Sequence, residues 1–322
     1  MLSYPDFTEK QLAFIHCERG VRSRLSIQNR NIVYRKDDEV QAKLSLYKLF
    51  VLFVIGEASL TTPFIADCRH YGVSLILMKW NCNISVEIYS QAEGNTVLRF
   101  RQYHTDKDLD LLKAKILITN KILNQLRLVC DTNPKIGAYK ELKRLATSQV
   151  KSARNNAELR GIEGYYARLY FKYYFEDIGW WKRAPQSRHD IQNLLMDMGY
   201  TYLFNFIEAL LRVHGFDTYR GFYHTLFFSR KSLACDIMEP FRPIIDREIR
   251  KAYTLGKIDL KDFTRRGPEY QLNWKNSAKY NQIFLEAIMN QKEPIFRYIR
   301  HYYRHVMDPE EHQFPEYKLR VK

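Results

Sequence analysis

The sequence lacks several features that mark common protein classes. Its five cysteines are odd in number, scattered and without CxxC spacing, which argues against a disulfide framework or a zinc ribbon. We therefore expect reduced thiols in a cytoplasmic protein. The longest apolar run, Leu49 to Ile55, has seven residues, far fewer than the roughly 20 that cross a bilayer as a helix. No basic-then-apolar signal pattern is visible at the start of the sequence, so we expect no membrane-spanning segment.

Acidic residues are in deficit, and the deficit is uneven along the chain. The 322 residues include 51 Lys and Arg against 36 Asp and Glu, which gives a net charge of +15. Residues 1–100 contribute +2 of this excess, and residues 101–322 contribute +13. A positive excess confined to one region is typical of a protein with a polyanionic partner, either nucleic acid or an acidic membrane surface, although solubility alone would also tolerate it.

Hydrophobic patterning changes once along the chain. From about Ser23 to Arg99, short apolar or alternating runs predict strands, and the segment TTPFIADCRHYG predicts one short helix that ends at Gly72. After His104 the period becomes helical. We predict an α+β protein with a small N-terminal β-sandwich domain followed by a larger all-helical domain. The predicted boundaries are 1–95 for the β-sandwich with a turn near 91–95, 96–108 for a linker, 109–305 for the helical domain and 306–322 for a tail.

The first long helical segment covers residues 106–130 and begins with acids in its first turn. Its periodicity predicts one apolar face, formed by Leu112, Ile116, Thr119, Leu123 and Leu126. Breaks rich in Gly and Pro then separate the later helical segments. These are predicted over residues 139–178, 190–214, 232–254 and 275–305.

The stretch SLACDIMEPFRP places two acids in an otherwise apolar run. On a helix, Asp236 and Glu239 share one face. Neighbouring carboxylates in apolar surroundings require a nearby cation, unless they are solvated or paired with Arg242. If Ser232 caps this helix, Pro240 and the later Pro243 remove amides that the carbonyls of the two acids would need, so the backbone is kinked or ended there.

Two further segments offer possible ligands. Glu163 is either an ordinary residue of a first helical turn after Gly161 or a ligand at the edge of an apolar stripe. His224 lies among aromatic residues, where an imidazole requires a hydrogen bond or a metal. Combined with Asp236 and Glu239, these residues supply hard oxygen donors and one nitrogen, a set suited to Mg²⁺ or Mn²⁺.

The motif HYYRH is a competing metal candidate. It spaces His301 and His305 as on a zinc-binding helix, but the glutamate that activates water in a metalloprotease is absent. The basic, aromatic surroundings favour a core helix or a helix that faces nucleic acid.

Four blocks of sequence carry a family resemblance. In order they are EGYYARLYF, HDIQNLLMDMGYTYL, GFYHT and SLACDIMEPFRP, and they resemble the signature blocks of the CRISPR-associated adaptation integrase, the subunit that inserts new spacers into a CRISPR array. Milder similarity covers RFRQYH, AKILITNKILNQ and the β-rich first part. The chain departs from the family before Asp190, where it reads APQSRHD instead of consecutive prolines.

The resemblance implies an enzyme, a metal-dependent DNA integrase or endonuclease that works by phosphodiester transesterification. It implies that Glu163, His224 and Glu239 bind Mg²⁺ or Mn²⁺ and that Asp236 is a further catalytic acid beside the metal. The 3′-hydroxyl of a captured DNA fragment would attack the boundary between repeat and leader. Residues proposed to contact nucleic acid are Arg183, Arg188, Arg242 and Arg247, which would neutralise phosphates, and Tyr165 or Tyr223, which would stack on splayed bases. Ordinary surface charges and core tyrosines would give the same sequence pattern.

The resemblance also implies partners. These are double-stranded DNA fragments (protospacers), the CRISPR repeat and leader, a second copy of the chain bound through the N-terminal domain, and a small ferredoxin-like adaptation subunit, with no membrane partner. Two alternatives share the same charge and aromatic content: a catalytically inactive DNA-binding module, and a general metal-dependent nuclease acting on branched DNA or RNA.

Overall fold

The computed structural model describes residues 9–79, 84–89, 95–133, 136–180, 182–224 and 227–320. The turn predicted at 91–95 lies outside these ranges except for its last residue. Two compact units are present, Met1–Thr96 with Arg212–Phe216, and Val97–Leu211 with Asp217–Lys322. Within the described ranges, no helix is both long enough and apolar enough to cross a membrane.

The first unit contains two sheets. One sheet has the order β1-β5-β6-β7, with β1 and β6 parallel to β5 and β7 antiparallel to β6, and the other is antiparallel with the order β2-β3-β4. The strands are β1 (Gln11–His16), β2 (Ser23–Gln28), β3 (Asn31–Lys36), β4 (Glu39–Ser45), β5 (Leu49–Ile55), β6 (Ser74–Met78) and β7 (Ile84–Ile88).

Both sheets contribute to one hydrophobic cluster, which confirms the predicted sandwich. The cluster joins Leu25 and Ile32 of the antiparallel sheet to Leu52 and Val54 of β5. Every residue of β5 is buried, since this strand lies in the interior of its sheet and is covered on both faces. The helix predicted between β5 and β6 is α1 (Thr62–His70).

The second unit is mostly helical. Its helices are α2 (Thr96–Tyr103), α3 (Lys107–Thr132), α4 (Tyr139–Ser152), α5 (Asn156–Tyr174), α6 (Ile191–Val213), α7 (Ser232–Met238), α8 (Arg242–Thr254), α9 (Ser277–Met289) and α10 (Lys292–Met307). Three details differ from the sequence-based expectation. The segment 96–108 contains α2, the segment expected to be all helical contains the hairpin β8 (Phe263–Arg266) and β9 (Glu269–Leu272), and Phe314, Tyr317 and Leu319 of the expected tail are buried.

Helix α3 packs against α4, α5, α8 and the turn that follows α7. Its predicted apolar face is wrong at Leu112, which is 54% exposed. The helix is surrounded by other elements and is buried on several sides, so its interior face also includes polar residues such as Lys121 and Asn124.

The two prolines interrupt the helix around the acids, as predicted. Helix α7 ends at Met238, a 3₁₀ turn covers Glu239–Phe241, and α8 begins at Arg242. Ser232 does not cap this helix, since it is already the first helical residue and Lys231 precedes it as the cap. The bend turns Asp236 and Glu239 toward different partners.

Candidate active site

Asp236 organises the loop that carries His224. The side chain is fully buried, and its Oδ2 accepts hydrogen bonds from the backbone N–H groups of Phe222 at 2.7 Å and Tyr223 at 3.0 Å. Its Oδ1 accepts from the His224 backbone N–H at 2.9 Å and lies 2.6 Å from His224 Nδ1. Since the carboxylate engages Nδ1, the Nε2 atom of His224 is the ring nitrogen left to face a ligand.

A glycine permits this close approach of loop and carboxylate. A Cβ atom at Gly221 would lie 2.6 Å from Asp236 Oδ2 and 2.8 Å from the Ser232 carbonyl carbon. Such separations are shorter than any normal contact, so a side chain at position 221 would push Asp236 out of place.

Glu239 lies in the 3₁₀ turn and is 2% exposed. Its Oε1 is 3.0 Å from an Arg242 guanidinium nitrogen, and its Oε2 is 2.6 Å from Lys121 Nζ. Burial by itself would raise the pKa of Glu239, but the charges of Arg242 and Lys121 outweigh burial and lower that pKa to about 2. Glu239 is therefore an ionised, buried carboxylate.

Glu163, on α5, contacts the same lysine as Glu239. Its Oε1 accepts a hydrogen bond from Lys121 Nζ, and its Oε2 accepts one from the Tyr223 hydroxyl. Burial, followed by the Glu163 charge, raises the pKa of Tyr223 well above its ordinary value. Tyr223 therefore keeps its proton and remains a donor to Glu163.

Lys121 is the group that joins the two glutamates. Its side chain is 8% exposed and forms ion pairs with both Glu163 and Glu239. Burial opposes its charge, but the two carboxylates outweigh burial and raise its pKa. Helices α3 and α5 and the 3₁₀ turn thus deliver three charged groups to one point from positions that are distant in sequence.

These residues form what we call the acidic cluster: Glu163, His224, Asp236 and Glu239, with Lys121 and Arg242 as its cations. Among the described residues, no three His, Cys, Asp or Glu side chains are spaced as metal ligands. The reason is local: Lys121 lies between the two glutamates, and Asp236 engages His224.

The acidic cluster nevertheless suits a cation. Oxygens of two glutamates already converge on one positive charge, and Glu239 Oε2 is buried without an aligned hydrogen bond. Two carboxylates with one imidazole nitrogen are also the donors that Mg²⁺ and Mn²⁺ accept.

The predicted nucleic-acid contacts have different environments. Tyr223 is 2% exposed, which favours the alternative of a core tyrosine, whereas Tyr165 is 53% exposed and has a ring that is open to a base. The Arg183 guanidinium binds Asn193 and Asp197, and its side chain is 10% exposed. Tyr223 and Arg183 are buried by contacts that the sequence does not reveal.

The other three predicted arginines are partly buried. Arg242 pairs with Glu239. Arg247 pairs with Glu248 and donates to the Arg320 carbonyl oxygen. The Arg188 carbonyl oxygen accepts a hydrogen bond from Tyr270 N–H. Only the contact of Arg242 belongs to the acidic cluster.

The two histidines of HYYRH do not share a site. His305 is buried and donates from Nδ1 to the His312 carbonyl oxygen at 2.8 Å, whereas His301 is exposed. This environment is that of a core histidine beside the C-terminal segment.

Lys121 and its glutamate pair were not found from the sequence. The only signal is that a lysine stands among Ile118, Ile122 and Leu126 in the middle of an apolar helix. A lysine in that position is more often solvated, so the pattern alone gives no reason to bury it.

The β-sandwich unit, the basic helical unit and the buried acidic cluster together define the class of protein that the four sequence blocks resemble, the CRISPR adaptation integrases. The family described as CRISPR associated protein Cas1 matches residues 20–286. The chain therefore belongs to the Cas1 family.

Individual relatives agree with this assignment. The CRISPR-associated endonuclease Cas1 1 of Thermodesulfovibrio yellowstonii is 25% identical over 284 residues, which cover 83% of this chain and 89% of that one. Among solved structures, a casposase bound to integration product has a TM-score of 0.78 at 22% identity and covers 97% of this chain and 96% of its own. A chain of a Cas6-RT-Cas1–Cas2 complex has a TM-score of 0.79 at 20% identity over 98% of this chain and 37% of that one. At these identities the two structures show a common fold.

Proposed function

We propose that this chain is the metal-dependent DNA integrase of CRISPR adaptation. It joins the 3′-hydroxyl ends of captured DNA fragments to the boundary between repeat and leader by transesterification. The observation that carries the proposal is the convergence of Glu163 and Glu239 on one buried cationic position, in a chain of the Cas1 family.

Glu163, Glu239 and Nε2 of His224 are the atoms that would hold Mg²⁺ or Mn²⁺. When bound, such an ion polarises the scissile phosphate, lowers the pKa of the attacking hydroxyl and stabilises the leaving oxygen.

The remaining residues of the acidic cluster prepare the site. Asp236 acts as a positioning residue, because its oxygens hold the His224 loop and fix the ring so that Nε2 is presented. Tyr223 orients Glu163 through its hydroxyl. Arg242 balances the Glu239 charge and lies 4.9 Å from the centre of the Tyr200 ring, which limits its movement.

Partners follow from charge and from the family. The excess of +13 on residues 101–322 suits a DNA backbone, to which Lys and Arg bind through the phosphates. A casposase of the same fold is bound to integration product, and another matched chain stands in a complex with Cas2. We propose that this chain likewise binds DNA, dimerises through its β-sandwich unit and assembles with a small ferredoxin-like adaptation subunit. Light scattering that finds only monomer at every concentration would count against the dimer.

The direct test uses labelled DNA fragments, a plasmid carrying the repeat and leader, and Mg²⁺ or Mn²⁺. Glu239→Gln removes one charged donor with little change of shape, and we expect joined product to fall on the order of 100-fold or more, the scale of one lost transition-state charge contact. Glu248→Gln, on α8 and outside the acidic cluster, is the matched control and should integrate normally. Unchanged joining by Glu239→Gln would contradict the proposal.

The same assay separates the alternatives. An inactive DNA-binding module would bind the fragments and join none. A general nuclease would cut branched DNA with no preference for the repeat sequence.

A further inference from the structure

A buried lysine occupies the cationic position between the two glutamates, and this placement has a consequence for metal entry. Lys121 Nζ is in ion-pair contact with Glu163 Oε1 and 2.6 Å from Glu239 Oε2. Mg²⁺ bound to the same oxygens would lie roughly 2.0–2.1 Å from each of them. Both cations therefore need the same small volume.

We infer that Lys121 is a built-in competitor of the metal: it neutralises Glu163 and Glu239 in the metal-free protein and must leave them before a divalent ion can bind. This inference rests on the proposed metal-dependent function and concerns the same site. Lys121 would then act before the reaction, by controlling whether the ion can bind, and would not itself be a metal ligand.

The surroundings of Lys121 explain why such a competitor is useful. Glu239 is 2% exposed and Asp236 is fully buried, and buried carboxylates without compensating charge are strongly unfavourable. Arg242 compensates only one of the two oxygens of Glu239. Without Lys121, the metal-free cluster would therefore carry uncompensated negative charge.

Once it has left the two glutamates, the Lys121 ammonium needs another anion to pair with. The side chain is 8% exposed, and it remains tethered to α3 next to the site where the proposed reaction takes place. A DNA phosphate at that site would supply the missing anion. Metal and DNA should therefore bind cooperatively, since each favours the arrangement in which Lys121 has left the glutamates.

The same helix provides a matched control. Lys113 is also on α3 and 5% exposed, and it forms an ion pair with Asp110 at 3.8 Å. Replacement of Lys113 by methionine thus removes an equally buried ammonium that does not touch the acidic cluster.

The first experiment measures Mn²⁺ binding to the full-length protein by electron paramagnetic resonance, without DNA. Lys121→Met should bind Mn²⁺ at least about tenfold more tightly than the native chain, within the range typical of coupled sites, and Lys113→Met should bind it as the native chain does. A duplex DNA fragment should tighten Mn²⁺ binding in the native chain and do so much less in Lys121→Met.

Outcomes separate the inference from the proposed function. Equal or weaker Mn²⁺ binding by Lys121→Met, with native binding intact, would overturn the inference alone. Failure of the native chain to bind Mn²⁺ with or without DNA would remove the metal role, and the inference with it.

A second experiment uses the native chain and does not depend on whether a variant folds. An amine-acylating reagent followed by mass spectrometry reports how accessible each lysine is. Saturating Mn²⁺ should raise labelling of Lys121 several-fold relative to Lys113. Labelling of Lys121 that does not respond to Mn²⁺ would overturn the inference.

Discussion

Replacement of Asp236 by asparagine is the most informative single change in the acidic cluster. The carboxylate is surrounded by four donors, three of them backbone N–H groups that cannot rotate away. Asparagine offers one carbonyl oxygen and one NH₂ group. If the NH₂ group takes the place of Oδ2, it faces two backbone N–H groups. If it takes the place of Oδ1, it faces only the His224 N–H, because the imidazole can change tautomer and accept at Nδ1.

The size of the effect follows from the better of these two orientations, which leaves one backbone donor unpaired. A hydrogen bond to a charged acceptor contributes about 1.5–3 kcal/mol, and a buried donor left without an acceptor costs a similar amount. We therefore expect Asp236→Asn to lower the free energy of unfolding by about 1.5–3 kcal/mol. The second unit spans roughly 220 residues, so this loss corresponds to a fall in Tm of at least about 3 °C.

Urea denaturation and calorimetry near neutral pH measure this loss. Asp246→Asn is the matched control, because Asp246 is equally buried but accepts from the hydroxyls of Tyr200 and Tyr170. One of these hydroxyls can rotate and accept from the new NH₂ group, so this variant should lose less than about 1 kcal/mol. A loss below about 1 kcal/mol for Asp236→Asn, or equal losses for the two variants, would refute the reasoning.

Two further predictions concern Gly221 and the ionisation of Asp246. Gly221→Ala should destabilise the protein by about 1–3 kcal/mol, because the new Cβ would lie 2.6 Å from Asp236 Oδ2. Gly161 lies within α5, and a Cβ there meets no atom within 4 Å, so Gly161→Ala should stabilise the protein by about 0.5–1 kcal/mol. Equal melting temperatures for the two variants would contradict this. Burial raises the pKa of Asp246 to about 6, against the opposing effect of its hydrogen bonds from two tyrosines. Between about pH 4 and 6 the folded state therefore holds a proton that the unfolded state has released. The free energy of unfolding should fall by about 3 kcal/mol as pH rises across that interval. Asp246→Asn should abolish this component, and a native-minus-variant difference that does not change with pH would show the carboxyl to be normally ionised.

Local signals were sufficient to predict much of the fold. The seven-residue apolar run Leu49 to Ile55 predicted a buried strand, and β5 is that strand. Pro240 and Pro243 predicted a break, because a missing amide ends a helix wherever it occurs. In both cases the physical cause lies within a few residues of the effect.

The partners of the acids could not be predicted in the same way. Helical spacing put Asp236 and Glu239 on one face, but the 3₁₀ turn at Glu239 separates them, so one binds the His224 loop and the other binds Lys121. Tyr223 was assigned to DNA because it is aromatic, yet its hydroxyl binds Glu163, 60 residues away. Such pairings depend on how α3, α5 and the loop pack, which no periodicity encodes.

The position of Glu239 shows how far the supporting structure extends beyond the acidic cluster. Lys121 of helix α3 contacts the Glu239 carboxylate, and one turn later Asn124 donates to the Pro240 carbonyl oxygen at 3.1 Å. Asn124 also accepts from Leu319 N–H at 3.0 Å, and the Tyr317 ring packs 4.5 Å from Phe241. The C-terminal segment therefore packs against the same turn, although it lies beyond residues 20–286, which match the Cas1 family. Lys121 and Asn124 both lie on α3 and both contact this turn. We therefore expect α3 and the turn to move together, so that rotation of the Lys121 side chain, rather than movement of the helix, sets the separation between its charge and that of Glu239.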